Sequence, residues 1–119
     1  MRVLVTGCDG YIGAVMVPVL QRAGHEVVGL DSYLFEGCDL GEFRPSALSL
    51  RCDLRDVGVE PLRGFDAVIH LAAISNDPLG NLNPDCTFEI NHRASLRLAL
   101  HAREAGVRRF LYASSCSVY

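Results

Sequence analysis

A short apolar stretch, Val3-Leu4-Val5, runs straight into Thr6-Gly7-Cys8-Asp9-Gly10-Tyr11-Ile12-Gly13, and this junction constrains the chain more than any other part of its 119 residues. It reads as a strand turning into a helix over glycines. Gly7 suits the tight turn out of the strand, Gly10 leaves no Cβ where an anion must approach backbone N–H groups, and Gly13 lets the helix lie close to the sheet. Tyr11 and Ile12 open the helix, whose positive end faces the anion. The spacing is GxxGxxG, so an ordinary glycine-rich turn is the competing reading of these residues alone.

The next two segments of the chain favour the phosphate cradle. A helical stretch over residues 11–23 is stopped by Gly24, and a second apolar strand at 27–30 ends in Asp31, 18 residues beyond Gly13. An acidic residue at about that distance is the expected partner of the adenosine ribose hydroxyls of a dinucleotide. Its carboxylate would accept from both hydroxyls of NAD in charge-assisted bonds of roughly 1.5–3 kcal/mol and would repel the 2′-phosphate of NADP. NAD is therefore the expected cofactor; the alternative is that Asp31 only caps the loop after it.

Apolar runs recur at 3–5, 27–30, 48–50, 67–71 and 110–113, with helical stretches between them. Runs this apolar predict parallel strands buried on both faces. Five such strands with right-handed crossovers give an α/β doubly wound sheet, the Rossmann arrangement, of order 3-2-1-4-5. The first helix places Ile12, Val15, Val19 and Ala23 on one face, and Pro18 predicts a kink or local break within it. Asn83-Pro84 supplies a cap and a proline at the first helical position of a helix that runs to Ala105 before Gly106 ends it. Residues 55–62 form only a short or irregular crossover. Residues 32–46 read as a loop over the adenosine end of the site, and 75–80 as a turn or a substrate-contacting loop.

Half of the residues are hydrophobic, so a folded segment is expected. The net charge of −3 and the lack of a basic stripe argue against a nucleic-acid partner. Five scattered cysteines without a C-x-x-C pair fit a reducing cytoplasm and predict neither a disulfide frame nor a metal site. No segment has the length of a membrane span, and no membrane partner is expected.

In such a sheet the ligand crevice lies at the carboxyl ends of the strands. The residues there are Thr6 to Gly13, Asp31, Cys52-Asp53-Leu54-Arg55-Asp56, His70-Leu71-Ala72-Ala73 and Tyr112-Ala113-Ser114-Ser115-Cys116-Ser117-Val118-Tyr119, with Asn91 on the intervening helix. Together, over the whole chain, they resemble the extended short-chain dehydrogenase/reductase family, and within it the nucleotide-sugar epimerase/dehydratase group.

The resemblance implies that Asp53 accepts from the adenine amine while Leu54 packs against the ring, and that Leu71, Ala72 and Ala73 line the cofactor channel. Asn91 falls on the family position that stabilises the central strand and the active-site end. Its amide needs partners for both donor and acceptor, which a structural role also provides. Ser115 matches the serine or threonine that hydrogen-bonds the reacting sugar oxygen, with Ser114 as its neighbour, and Tyr119 matches a structural tyrosine. The implied substrate is a nucleotide sugar, and a homodimer is expected of the parent enzyme.

Two departures narrow the activity. Members that eliminate water or carbon dioxide carry an acid within two positions after the Ser/Thr, whereas Cys116 and Ser117 follow Ser115. The family's Tyr-x-x-x-Lys proton-transfer pair is absent, as is lysine altogether. The chain is therefore expected to be the amino-terminal dinucleotide-binding domain, residues 1–119, of a longer NAD-dependent epimerase, lacking its later strands and substrate domain and inactive by itself. A carbonyl reductase of the same family and a non-catalytic dinucleotide sensor are the alternatives.

Overall fold

The computed structural model describes residues 1–38 and 47–115; residues 39–46 of the loop expected at 32–46, and the expectations for Cys116, Ser117 and Tyr119, lie outside them. Five strands form one parallel sheet: β1 (Arg2–Thr6), β2 (Glu26–Asp31), β3 (Leu48–Arg51), β4 (Ala67–His70) and β5 (Arg109–Tyr112). Their order is β3-β2-β1-β4-β5, as the spacing of apolar runs predicts. The reversal of direction on either side of β1 opens a crevice at the carboxyl ends of β1 and β4. Register places Thr6 opposite both Leu30 and His70, and His70 opposite Tyr112, so the residues just beyond these strands share one edge.

Alternation along β1 divides the interior into two layers. Leu4 points into a cluster with Val28, Leu30, Leu54, Leu62, Val68 and Leu98. Val3 and Val5 point the other way, onto Val17, Val27 and Ala67. At roughly 25 cal/mol per Å² of apolar surface, burial on both faces of the central strands is what holds the sheet.

The first helix, α1 (Tyr11–Arg22), sits on the second layer, but not by the face its apolar residues imply. Gly13 and Val17 are buried, whereas Ile12, Val15 and Val19 are 55 %, 62 % and 48 % exposed and Ala23 is also exposed. The reason is the close seating of Gly13, which has no side chain and so turns its own face inward. Nor does Pro18 break the helix: α1 continues through it as one element. Proline withholds one N–H from the ladder, and the anchored Gly13–Val17 face holds the helix on either side of it.

The crossover after β3 consists of two short 3₁₀ turns, Leu54–Asp56 and Glu60–Leu62. After β4, the segment at 75–80, expected as a turn or a substrate-contacting loop, runs into a short helix, α2 (Asp77–Leu82), because the Asn76 side chain caps it by accepting from the Leu79 N–H at 3.3 Å. A long helical rod comes next, capped by Asn83, which accepts from the Cys86 N–H at 3.0 Å. It comprises α3 (Pro84–Phe88), a π-helical turn at Glu89–Ala94 and α4 (Ser95–Glu104). Only the π turn lies beyond what its sequence predicts. Among the described residues no helix is long and apolar enough to cross a membrane.

Candidate functional site

The glycine run forms a tight loop between β1 and α1. Gly7 takes φ of +72°, a conformation that L side chains disfavour, and its N–H donates to the Leu30 carbonyl at 2.8 Å. A Cβ on Gly7 would also stand 2.8 Å from the Ala72 backbone nitrogen, so the exit of β4 passes directly against this turn. At Gly13 a Cβ would lie 2.7 Å from the Cys8 backbone, which puts α1 against the loop itself. Gly10 differs from both. It is exposed, and its Cβ would meet only the Gly7 carbonyl oxygen, at 3.3 Å. The fold asks little of that position, while the space beside it is open to a ligand. Gly10 is also the cap residue of α1 and supplies no side chain to its first-turn N–H groups. Tyr11 and Ile12, in that first turn, are exposed.

Asp31 is tied to the same loop. Its Oδ2 accepts from the Asp9 N–H at 2.9 Å and its Oδ1 from the Tyr33 N–H, also at 2.9 Å. The capping reading of this residue holds, since it caps the following turn, and the same side chain is braced against the glycine loop. An ionised carboxylate offers about four acceptor positions, so these two bonds fix its orientation and leave further lone pairs for ribose hydroxyls. Cys8, buried inside the loop, has its thiol pKa pushed up to about 11, by burial first and then by the Asp31 charge, so it is an inert packing group.

Asp53 caps the first 3₁₀ turn and holds Arg55. It accepts from the Arg55 N–H at 2.8 Å, from Nε at 3.0 Å and from Nη2 at 2.7 Å. The Arg55 guanidinium lowers the Asp53 pKa. Three of about four acceptor positions are thus taken, which leaves a single direction for the adenine amine expected there. Leu54, expected against the adenine ring, is only 7 % exposed and belongs to the core, so it can offer a ring no more than an edge.

Beyond β4, Leu71 and Ala72 are half-buried and Ala73 is exposed along the edge that the glycine loop shares. This segment is held from two sides. The Leu71 N–H donates to the Thr6 carbonyl at 3.1 Å. The Asn91 amide then grips Ile74 twice: Oδ1 accepts from its N–H and Nδ2 donates to its carbonyl, each at 2.8 Å. Asn91 thereby finds partners for both donor and acceptor, and its geometry is that of a positioning residue rather than a direct cofactor ligand. Ser114 and Ser115 are exposed just past β5, whose exit is pinned by the Ala113 N–H on the His70 carbonyl at 3.1 Å.

Sequence reasoning missed the polar centre behind this edge. His70, 1 % exposed, is bonded at Nδ1 to the Thr6 hydroxyl and at Nε2 to that of Ser95. Burial lowers its pKa to about 4. A histidine closing an apolar strand is the one trace of this in the sequence. Also missed is the surface array of Tyr33, Ser49, Arg51 and Glu36 beside Asp31. Among the described residues no group of three metal-binding side chains occurs.

This geometry has close counterparts. The model of the family described as NAD dependent epimerase/dehydratase matches residues 3–119. A UDP-glucose 4-epimerase of Streptomyces lividans is 36 % identical over 124 residues, covering 99 % of this chain and 37 % of that protein. A UDP-glucose 4-epimerase of Klebsiella pneumoniae is 33 % identical over 129 residues and is covered to 92 % by the whole of this chain. Among solved structures, the UDP-glucose-4-epimerase of Stenotrophomonas maltophila with bound NAD and formylated UDP-arabinopyranose superposes with a TM-score of 0.88 at 31 % identity, over 100 % of this chain and 38 % of that one. The chain thus spans well under half the length of the Streptomyces and Stenotrophomonas proteins. A glycine loop locked to the acid that ends β2, on a sheet of this order and in a chain matched almost from end to end, places the protein in the NAD-dependent epimerase/dehydratase family.

Proposed function

We propose that this chain is the NAD-binding part of a nucleotide-sugar 4-epimerase. The observation that carries the reading is the bond from the Asp9 N–H to Asp31, which sets a carboxylate beside an open glycine loop and so supports its use as the partner of an adenosine ribose. The fit extends to Gly10, where the open side of the loop leaves room for a pyrophosphate. The names of its relatives in Streptomyces and Klebsiella, both UDP-glucose 4-epimerases, support the sugar-nucleotide substrate.

Bound there, NAD supplies a reversible hydride acceptor for a sugar carbon. The chain's own residues bind and orient. The glycine loop and the N-terminus of α1 hold the pyrophosphate, and Asp31 holds the ribose. Asp53 offers its remaining lone pair to the adenine amine, and Leu71, Ala72 and Ala73 wall the channel. Asn91 holds that wall through Ile74. Ser115, with Ser114 beside it, donates to the sugar oxygen at the reacting carbon. Proton transfer belongs to a Tyr-x-x-x-Lys pair outside this sequence, in the further strands and substrate domain of a longer protein. The neutral residues Cys116 and Ser117 after Ser115 favour epimerisation over elimination. Exposed Phe88, Leu96 and Leu100 along one helical rod support pairing into a homodimer.

The test is an assay of the full-length protein with UDP-glucose and bound NAD. Interconversion with UDP-galactose and no net NADH is the expected result. Net turnover of the cofactor, with NADH consumed as a keto substrate is reduced, would assign a reductase, and binding of NAD without turnover of any sugar nucleotide would assign a sensor. Asp31→Ala should narrow the preference for NAD over NADP in calorimetric titration, and equal affinity of the unaltered protein for the two would overturn the role given to Asp31.

A further inference from the structure

Beside Asp31 stands a second charged group to which the proposed function assigns nothing. Arg51 ends β3 and is the register partner of Asp31. Ser49 and Arg51, two residues apart, project from the same side of that strand. Tyr33 lies across them: its hydroxyl donates to Ser49 Oγ, and the Arg51 guanidinium stacks 4.4 Å from the ring centroid. Tyr33 has a left-handed backbone, φ 58°, and is fixed at its other end by the bond of its N–H to Asp31. Arg51 is therefore fastened to the ribose acid through one intervening side chain. Among the described residues its remaining side-chain contact is an ion pair with Glu36, Nη2 to Oε2 at 2.6 Å, with both side chains more than half exposed.

A guanidinium is the side chain best suited to grip a phosphate, through two parallel N–H donors. NADP differs from NAD by one phosphate on the 2′ hydroxyl of the adenosine ribose, the sugar assigned above to Asp31. Two groups of opposite sign thus stand at the same end of the site: Asp31, which repels that phosphate, and Arg51, which attracts it. Glu36 decides how much of the attraction remains. A surface pair contributes only about 0–1 kcal/mol to stability, so fold strength does not explain its placement. Its charge acts over a screening length of about 8 Å at physiological salt, enough to bear on a phosphate at Arg51.

We propose that the Glu36–Arg51 pair is a second determinant of cofactor choice: Glu36 neutralises Arg51 and holds it on the Tyr33 ring, and without that carboxylate Arg51 becomes a ligand for a ribose 2′-phosphate. This rests on the reading of Asp31 as the ribose-binding acid.

The full-length protein and its Glu36→Gln, Arg51→Gln and doubly substituted variants are titrated calorimetrically with NAD and with NADP, at low and high salt, with thermal unfolding of each as a check on folding. Glu36→Gln should raise the ratio of NADP to NAD affinity about tenfold, the gain of a charge-assisted phosphate contact. That gain should shrink as salt rises and vanish in the double variant. Glu36→Ala should behave as Glu36→Gln does. An unchanged ratio in both Glu36 variants, or a gain that persists without Arg51, overturns the proposal while leaving the NAD-binding reading intact. If the unaltered protein binds neither nucleotide, both fall together.

Discussion

The hydroxyl of Thr6 lies 2.6 Å from Nδ1 of His70, joining the last residue of β1 to the last residue of β4 inside the sheet. Thr6 Oγ1 also accepts from the Ala72 N–H at 3.4 Å. Ser95 Oγ donates to the Ile90 carbonyl at 3.5 Å, so it accepts from the Nε2–H of His70 at 2.7 Å, and Nδ1 is left to accept the Thr6 proton. The chain of bonds is complete only while the imidazole is neutral. It ties the edge that carries the glycine loop to the rod that carries Asn91.

This neutrality makes the fold sensitive to acid. The unfolded chain takes up a proton at His70 near pH 6.5, whereas the folded protein refuses it until about pH 4. The unfolded state therefore binds more protons throughout that interval, and stability is lost as pH falls through it, by at most about 3 kcal/mol. Above pH 6.5 the contribution is complete. Denaturant midpoints measured from pH 7 down to pH 4 should fall steadily, and His70→Gln should flatten the slope while lowering the starting stability. Parallel slopes for the two proteins would remove His70 as its origin.

The three loop glycines should separate binding from folding. Gly10→Val puts its side chain into open space beside the Gly7 carbonyl, so the protein should fold and fail to bind NAD. Gly13→Val drives a side chain into the backbone of Gly7 and Cys8, and should cost more than the ~1–3 kcal/mol of ordinary overpacking. Circular dichroism melts and calorimetric titration of the two variants check this. Retained NAD binding in Gly10→Val would make the loop a plain turn.

Asn91→Ala removes both bonds to Ile74 and leaves its N–H and carbonyl without them, at a cost of about 2 kcal/mol. The Ile74 amide should lose protection in hydrogen exchange ahead of the amides in β4. Unaltered exchange at Ile74 would mean that the clamp contributes nothing to holding the channel wall.

In the full-length enzyme, Ser115→Ala should lower kcat by about 10²-fold, the usual scale for losing a donor at a reacting oxygen. Single-turnover hydride transfer at the original rate would take Ser115 out of the mechanism.

The sheet was legible because its strands are written as unbroken apolar runs; the run at 27–30 sits within Glu26–Asp31 and that at 48–50 within Leu48–Arg51. The burial on both faces that such runs predict holds only for β1, β2 and β4, while the edge strands β3 and β5 are largely exposed. The contacting face of α1 was not. Apolar side chains surround that helix on nearly every side, so periodicity could not choose among faces, and the residue that decides, Gly13, has no side chain to register in such a pattern. Thr6 and His70 are separated by 64 positions, and nothing local to either foretells their bond. The same holds for Arg51 and Glu36, which come together only because β3 lies beside β2. Asn91 was legible as a residue needing two partners, and only the fold could name Ile74 as both.

The widened turn at Glu89–Ala94 amounts to a phase shift in an otherwise continuous rod. In ordinary α-helix each residue advances the angle by about 100°, and a π turn absorbs one residue more than that geometry allows. Within the widened turn the rod is indexed to Ile74 through Asn91; beyond it, Leu98 and Ala102 are indexed to the core. Deleting any single residue between them would leave a helix of respectable propensity whose two ends no longer agree. Either the core would be filled and Asn91 would swing about a quarter of a turn off its target, or the clamp would hold and Leu98 would turn toward water. The surplus residue is a shim, and it lets one stiff element answer to two surfaces that were never in step.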